Sequence, residues 1–127
     1  MPELYDCQLL QDLRAFATDC PVMVQNGKPY WAQELYTDAL NIASSLSAEG
    51  FTPGARVLML MRPDVSFSTV VYALGMLGAV VALVDPEMGK EHFEAKVRLF
   101  EPQWVFADRA LLLLAEHPVL RFAYLHF

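Results

Sequence analysis

Five consecutive apolar residues, Val57-Leu58-Met59-Leu60-Met61, run directly into the break Arg62-Pro63-Asp64. The run has the length of a β-strand, and because it does not alternate with polar residues it predicts a strand buried on both faces. A proline near the first helical turn and an aspartate near the positive end of the helix dipole predict a helix over about 65–77. A buried strand followed by a helix is typical of an α/β protein.

The same alternation continues toward the C-terminus. Gly78 is placed to end the helix, and a second strand is predicted at 80–84. An amphipathic helix then follows Gly89 and ends at Pro102. Its inward side is predicted to consist of Phe93, Val97 and Phe100.

Three further elements complete the pattern. A short strand is predicted at 104–107, a helix over 109–116 with Asp108 as its N-cap, and a last strand over 119–127. The order strand, helix, strand, helix, strand, helix, strand predicts right-handed crossovers between parallel strands. We therefore expect an α/β fold, a three-layer arrangement of βαβ units with a mostly parallel sheet between flanking helices.

The N-terminal part supplies two helices and a small hairpin. Apolar residues recur at helical spacing over 4–17 and again over 32–49, where Gly50 is suited to a left-handed C-terminal cap. Between the helices, Asn26-Gly27 is the pair best suited to a type I′ turn, which predicts an antiparallel hairpin over 22–31. We expect residues 1–127 to form a single α/β unit, part of a larger domain.

Composition limits the function classes. The chain has 127 residues, of which 55% are hydrophobic, so disorder is excluded, and strands buried on both faces or a surface awaiting a partner are indicated. Nine basic against fifteen acidic side chains give a net charge of -6, so nucleic-acid binding is not expected.

Targeting and redox signals are few. Cys7 and Cys20 lie far apart without the spacing of a zinc site or a disulfide framework, and the acidic start at 1–6 lacks the pattern of a secretory signal, so a reducing cytoplasm is expected. Residues 65–84 carry no charged side chain and are long enough to span a membrane. The helix end at Gly78 inside this stretch argues against a membrane span.

Four charged residues lie at the edge of the predicted parallel sheet where a ligand is expected to bind. Ligands bind outside the carboxyl ends of the strands, and this edge should carry Arg62, Asp64, Asp85 and Asp108. The competing interpretation is structural: Asp64 and Asp108 favour helix starts, and Asp85 precedes a proline turn. The structural interpretation is preferred to an acidic metal pocket.

No motif for nucleotides, metals or nucleophilic catalysis is present. The link after the first strand, Arg62-Pro63-Asp64, has no glycine that would let the backbone approach a pyrophosphate, and no Walker-type loop occurs. The histidines are too far apart in sequence for a helical metal pair; they are His92, His117 and His126. The pair Tyr30-Trp31 could stack on a ligand, although ordinary packing of these rings is preferred.

Residues 26–108 resemble the N-terminal region of the adenylate-forming superfamily, which contains acyl-CoA synthetases, luciferases and the adenylation domains of peptide synthetases. The stretch 26–35, NGKPYWAQEL, is similar to a hairpin entering a helix in that family, and 50–57, GFTPGARV, is similar to its Gly-x-x-Pro-Gly-Asp-Arg-Val turn with Ala55 replacing aspartate. The most specific match is 77–86, LGAVVALVDP, which looks like the family segment in which a helix ends at Gly-Ala and a strand leads to an Asp-Pro turn. The stretch 85–89, DPEMG, looks nearer to fatty-acyl-activating and β-lactone-forming members than to amino-acid-activating ones.

The resemblance implies a ligase that makes an acyl-adenylate from a carboxylic acid and ATP-Mg and then passes the acyl group to a thiol such as coenzyme A. The family's phosphate loop, magnesium-binding acid, ribose-binding aspartate and C-terminal lysine have no counterpart in this sequence. No catalytic, cofactor-binding or metal-binding residue is therefore carried over, and ATP, Mg and CoA are expected only for a full-length enzyme. The chain is expected to be a scaffold portion that is inactive alone.

Partners follow from this interpretation. The remainder of the ligase, or a second copy pairing through the terminal strand at 119–127, would complete the sheet, because unpaired strand edges invite a partner. One alternative is a stand-alone interaction or regulatory module on the same scaffold. Another is a small independent α/β protein, flavodoxin-like in topology, that uses the edge around Asp64 and Asp85 to bind a ligand.

Overall fold

A computed structural model describes residues 4–16, 19–85 and 88–107. The elements within these ranges are, in chain order, α1 Gln8–Ala15, β1 Met23–Gln25, β2 Lys28–Tyr30, α2 Ala32–Ala48, β3 Arg56–Leu60, α3 Val65–Met76, β4 Val80–Leu83, α4 Lys90–Phe100 and β5 Trp104–Ala107. The predicted helix over 109–116 and strand over 119–127 lie outside the described residues. The described chain groups into two compact units, one formed by residues up to 53 with 63–78, the other by 54–62 with those from 79 onward.

The hairpin of the first unit has the predicted turn. β1 and β2 pair antiparallel, with Gln25 opposite Lys28, so only two residues form the loop. Both have positive backbone φ angles, 53° at Asn26 and 77° at Gly27. Positive φ at both central positions defines the type I′ geometry, whose twist matches that of paired strands.

Helix α2 ends in the predicted glycine cap. Gly50 has φ 97°, its N–H donates to the Ser47 carbonyl at 3.1 Å, and the Phe51 N–H donates to the Leu46 carbonyl at 3.0 Å. These two bonds form a Schellman motif, which satisfies carbonyls that the helix end would otherwise leave without partners. Phe51 and Leu46 are both buried, as the hydrophobic contact that accompanies this motif requires.

Helix α1 is shorter than the predicted 4–17. It begins at Gln8: Cys7 before it has an extended backbone, and the Tyr5 N–H donates to the Met76 carbonyl at the end of α3, at 2.8 Å. Leu10 and Leu13 are buried as expected, whereas Leu9 is exposed despite belonging to the predicted apolar side. Within this unit α2 packs against both α1 and α3.

Within the described residues, the second unit contains a parallel sheet of three strands in the order β4-β3-β5. The central strand β3 is buried on both faces, as its unbroken apolar run predicts, with Val57, Leu58, Met59 and Leu60 all at most 2% exposed. The parallel sheet, the helices and the separate antiparallel hairpin confirm the α/β class. In the described part of the chain no helix is both long and apolar enough to cross a membrane.

One face of this sheet packs against α4. Phe93 and Val97 of α4 form a buried cluster with sheet residues Leu58, Leu60 and Val105. The side chains at 58 and 60 share a face because side chains alternate along a strand. The inward positions predicted for the first two turns of α4 are therefore confirmed.

Hydrogen bonds fasten the connection from α4 to β5 onto the start of β3. The Gln103 N–H donates to the Arg56 carbonyl at 2.8 Å, and the Gln103 side-chain oxygen accepts from the Arg56 N–H at 3.0 Å. The Arg56 guanidinium donates from Nε to the Glu101 carbonyl at 2.8 Å. Glu101 has φ 52°, a left-handed conformation that ends α4 one residue before Pro102.

Candidate functional site

The carboxyl edge of the parallel sheet is the first place to look for a ligand. Strand β3 is followed in the chain by β4 on one side and later by β5 on the other, so the topology changes direction between β3 and β5. In open α/β sheets ligands bind at such a switch point, outside the carboxyl ends of the strands. Arg62 and Asp85 each lie two residues beyond the end of their strand, on this edge, and both are exposed. Asp108 lies outside the described residues.

Asp64 caps α3. Its Oδ1 accepts a hydrogen bond from the Phe67 N–H at 2.9 Å, and the side-chain oxygen of Gln25 accepts from the Val65 N–H at 2.8 Å. The exposed N–H groups and positive dipole of a helix N-terminus are what make it an anion site. Here two of the first three N–H groups already have protein acceptors, and one acceptor is a carboxylate. The structural interpretation of Asp64 is confirmed, and this helix start does not suit a phosphate.

Replacing Asp64 with alanine is expected to lower the free energy of unfolding by about 1 kcal/mol, because the Phe67 N–H loses its acceptor. Asp64→Asn is the matched control, since asparagine caps about as well as aspartate. Urea denaturation of the three proteins measures the difference. Equal losses in both variants would mean that the charge of Asp64, and not its capping bond, stabilises the fold.

The other side chains that could bind a metal do not come together in a metal site within the described residues. Within residues 4–16, 19–85 and 88–107, no three His, Cys, Asp or Glu side chains are placed to hold a metal ion. His92 is exposed on α4, and His117 and His126 lie outside the described ranges. Cys7 and Cys20 are exposed free thiols.

A groove of about 510 Å³ lies in the first unit between α1 and the start of α2. Its lining consists of Leu13, Arg14, Phe16, Trp31, Ala32, Gln33 and Tyr36. Phe16 and Trp31 are 41% and 40% exposed, so two aromatic rings face solvent at its rim. Its volume falls in the range of small-molecule sites. Of the pair noted in the sequence, Trp31 therefore borders a groove, whereas Tyr30 is half-buried in β2.

An ion pair stands at the edge of this groove. The Arg14 Nη2 donates to Asp6 Oδ2 at 2.9 Å, and its Nη1 lies 3.5 Å from the Tyr36 hydroxyl oxygen. The guanidinium also lies 5.8 Å from the centroid of the Tyr36 ring. The hydrogen bond between Arg14 and Asp6 lowers the pKa of the Asp6 carboxyl, and the same bond raises the pKa of the Arg14 guanidinium. Asp6 therefore offsets part of the positive charge that Arg14 brings to the groove.

The Asp6 carboxyl is expected to titrate at a lower pH in the native chain than in an Arg14→Gln variant. Since the folded pKa of Asp6 is depressed, the pair stabilises the fold above the ordinary aspartate pKa of about 4, and this contribution is lost as pH falls through the folded value. NMR titration of the Asp6 carboxyl carbon measures the midpoint directly. The glutamine side chain at position 14 is polar and uncharged and is shorter than that of arginine, so it cannot form the ion pair. Identical midpoints in the two proteins would contradict the ion pair.

The groove was not predicted from the sequence. Arg14 ends α1, Tyr36 lies in the second turn of α2, and Asp6 precedes α1. These residues are brought together because two helices, separated in the chain by a hairpin, pack against each other. Local sequence patterns do not predict such packing. The aromatic pair Tyr30-Trp31 just before α2 was the one sequence signal that pointed toward this region.

The fold is that of adenylate-forming ligases. VinN, solved with 3-methylaspartate, superposes with a TM-score of 0.78 at 19% identity over 91% of this chain. The Bacillus subtilis o-succinylbenzoate CoA synthetase MenE, solved with its acyl-adenylate intermediate, gives 0.79 at 13% identity over 94%. The N-terminal subdomain of Klebsiella oxytoca NpsA, in complex with anthranilyl-AMSN, gives 0.71 at 14% identity over 80%.

Comparison with family profiles shows that the sequence matches the AMP-binding enzyme family. Its profile matches residues 11–122, so the chain belongs to this family and corresponds to the N-terminal region of its members. No curated protein sequence matches the chain significantly. The chain spans 32%, 31% and 26% of the lengths of VinN, MenE and NpsA, respectively.

Proposed function

We propose that this chain is the N-terminal scaffold portion of an AMP-forming acyl-activating ligase and is not catalytic on its own. The complete enzyme would join a carboxylic acid of the fatty-acid class to AMP and then transfer the acyl group to a thiol such as coenzyme A. Residues 1–127 would form one N-terminal subdomain of that enzyme in the cytoplasm. Family membership and the shared fold support this proposal.

The observation that carries the proposal is the start of α3. In nucleotide-binding α/β proteins the first strand leads through glycines to a helix whose free N–H groups receive phosphate. Here the helix start is closed by Asp64 and Gln25, which accept hydrogen bonds from Phe67 and Val65. The start of α3 is closed, and the sequence contains no phosphate loop. These two features fit a chain that supports a nucleotide site better than a chain that binds a nucleotide itself.

The ligase chemistry would then fall to residues outside this chain. Attack of a carboxylate on the α-phosphate of ATP needs positive charge to offset the charge that develops, which a magnesium ion and a lysine supply in such reactions. This sequence carries no match to the family motifs that hold ATP, Mg or coenzyme A. Its contribution would be sheet strands and a rigid base.

An exchange assay tests the proposal. The purified chain is incubated with ATP, magnesium, labelled pyrophosphate and a panel of fatty, aromatic and amino acids. We expect no label to enter ATP, while MenE with o-succinylbenzoate, run in parallel, exchanges it. Acid-dependent exchange by the chain alone would overturn the proposal, because it would require a complete adenylation site.

A stand-alone interaction module is the second candidate, and one observation favours it. Three apolar side chains of β4 are exposed: Val80 by 50%, Val81 by 36% and Leu83 by 66%. A module of this kind would bind a partner through that strand without any ligase in the assembly. Purification of the chain from its own cells, together with whatever polypeptide is attached to it, separates the two candidates. The scaffold role requires a polypeptide with the family's phosphate loop in the same assembly, whereas the interaction module does not.

A further inference from the structure

The groove between α1 and the start of α2 keeps apolar surface open to water. Leu13 and Ala32, which line it, are 5% and 6% exposed and form its base, while Phe16 and Trp31 stand at its rim. All of these residues belong to the first compact unit, so the shape of the groove is set within that unit. Covering exposed aromatic rings with the flat body of a ligand removes apolar area from water, which favours binding.

Arg14 adds a positive charge to these apolar walls. Of the described residues that line the groove, it is the only one that carries a charge. Its guanidinium donates to Asp6 Oδ2 at 2.9 Å and lies 3.5 Å from the Tyr36 hydroxyl oxygen. A guanidinium has five N–H groups arranged in a planar fork. Within the described residues, further donors of Arg14 are therefore available to a ligand in the groove.

Asp6 shows which chemical group suits this guanidinium. Its carboxylate accepts from Arg14 and, at 3.3 Å, from the Gln11 side-chain amide, and both bonds end on the same oxygen, Oδ2. The Arg14 and Asp6 side chains are 43% and 46% exposed, so water and salt weaken their attraction. A carboxylate that enters the groove would meet a guanidinium that already binds a carboxylate through a weak, exchangeable contact.

Other ligand classes fit these residues less well. An organic cation would be attracted by the aromatic rings, but the Arg14 guanidinium, 5.8 Å from the centroid of the Tyr36 ring, would repel it. A polyphosphate would need more positive charge than one arginine paired with an aspartate supplies, and the net charge of -6 on the chain opposes its binding. A neutral apolar molecule would cover N–H donors of Arg14 without offering them an acceptor, which is costly. A single carboxylate on a flat apolar body matches both parts of the groove.

We propose that this groove binds a small aromatic monocarboxylate, with its carboxylate on the Arg14 guanidinium and its ring against Phe16 and Trp31. Asp6 competes with the ligand for the same guanidinium, so removal of its charge should strengthen binding. The site requires no nucleotide and does not depend on the proposed scaffold role. A ligand bound there would contact α1 and the start of α2 together and would stabilise the packing of the two helices.

Titration with 2-naphthoate, followed by NMR of the isotope-labelled chain, tests the site. The chain has two tryptophans, so the indole N–H of Trp31 reports on the groove, and that of Trp104 in β5 is an internal control. We expect a saturable shift at Trp31 with a dissociation constant on the order of 1 mM, typical of a ligand of this size, and no saturable shift at Trp104. The neutral analogue 2-naphthamide should bind about ten-fold more weakly, because it cannot form the ionic hydrogen bonds to Arg14.

Two variants that break the same ion pair should move the affinity in opposite directions. Asp6→Asn removes the competing charge, so 2-naphthoate should bind about three-fold more tightly. Arg14→Gln removes the cation, so 2-naphthoate should bind no better than 2-naphthamide. Val24→Ser is the control, since it removes a side chain that is 66% exposed in β1, outside the groove lining, and should leave the affinity unchanged. If the ion pair acted only by holding α1 in place, the Asp6 and Arg14 variants would both weaken binding, and affinities that fail to move in opposite directions would overturn the proposal.

Three other outcomes would each overturn it. The absence of a saturable shift at Trp31 would mean that the groove binds no aromatic acid. Equal affinity for 2-naphthoate and 2-naphthamide in the native chain would mean that Arg14 does not recognise the carboxylate, and this comparison stands even if a variant fails to fold. Saturable shifts confined to Trp104 would place the ligand elsewhere. Pyrophosphate exchange by the chain would defeat the proposed scaffold role and would leave these measurements unaffected.

Discussion

A Phe106→Ala chain is expected to lose about 3–5 kcal/mol of its free energy of unfolding, the usual loss for removal of a fully buried aromatic ring. Phe106 is 0% exposed and is the largest of the fully buried side chains in β5 and the rest of the described chain. It pairs in register with Met59 of the central strand, which is 2% exposed. Because the ring is fully buried, alanine at this position would leave a cavity in the core.

Urea denaturation measures this loss, provided that the unfolding free energy depends on urea concentration with the same slope in both proteins. Leu99→Ala is the control, because a residue that is 87% exposed should change stability by no more than about 0.5 kcal/mol. If Phe106→Ala is unfolded in buffer, Phe106→Leu provides a milder variant in which the loss remains measurable. A Phe106→Ala loss below about 1 kcal/mol would contradict the burial of this ring.

Gly78→Ala is expected to destabilise the chain by about 1–3 kcal/mol, the cost of holding a non-glycine residue in an unfavourable backbone conformation. Gly78 has φ 69°, in the left-handed region, where it ends α3. A Cβ atom at this position would lie 2.8 Å from Cε2 of the Tyr5 ring. Both the backbone conformation and the close approach of this ring therefore favour glycine at position 78.

Gly75 provides the matched control for this substitution. It lies inside α3, and a Cβ atom there meets nothing within 4 Å, so Gly75→Ala should gain about 0.5–1 kcal/mol from the reduced flexibility of the unfolded chain. Thermal unfolding of both variants should show shifts of opposite sign. Adding Tyr5→Ala to Gly78→Ala should recover the part of the loss that comes from the clash. Shifts of the same sign would contradict the conformation at Gly78.

The elements that the sequence predicted well are those that local chemistry determines. The run at 57–61 could be assigned to a buried strand because five apolar residues without alternation leave no polar face. Asn26-Gly27 defined the hairpin because few residues tolerate positive φ at two successive positions. Gly50 marked the end of α2 for the same reason. The stretch 77–86, which resembles adenylate-forming enzymes, includes one such position, Gly78, whose φ of 69° lies in the left-handed region that favours glycine.

The features that escaped prediction depend on contacts between distant residues. The first helix begins at Gln8, and Tyr5 before it hydrogen bonds to the end of α3, some seventy residues away in the chain. The run at 80–84 looks as buried as the run at 57–61, yet among the described strands β4 lies at the edge of the sheet and has exposed apolar side chains. Strand order is set by topology and not by composition. The groove beside Arg14 likewise depends on helix packing.

In the proposed scaffold role, this chain supports a nucleotide site without forming one. The most direct test of this role is the thermal unfolding midpoint with and without millimolar ATP and magnesium. We expect no shift, because the α3 helix start is capped and no phosphate loop is present. A ligand present at about 100 times its dissociation constant would add about 2.7 kcal/mol of stability and raise the midpoint by several degrees. A saturable rise of that size would contradict the account and make this chain a nucleotide-binding protein in its own right.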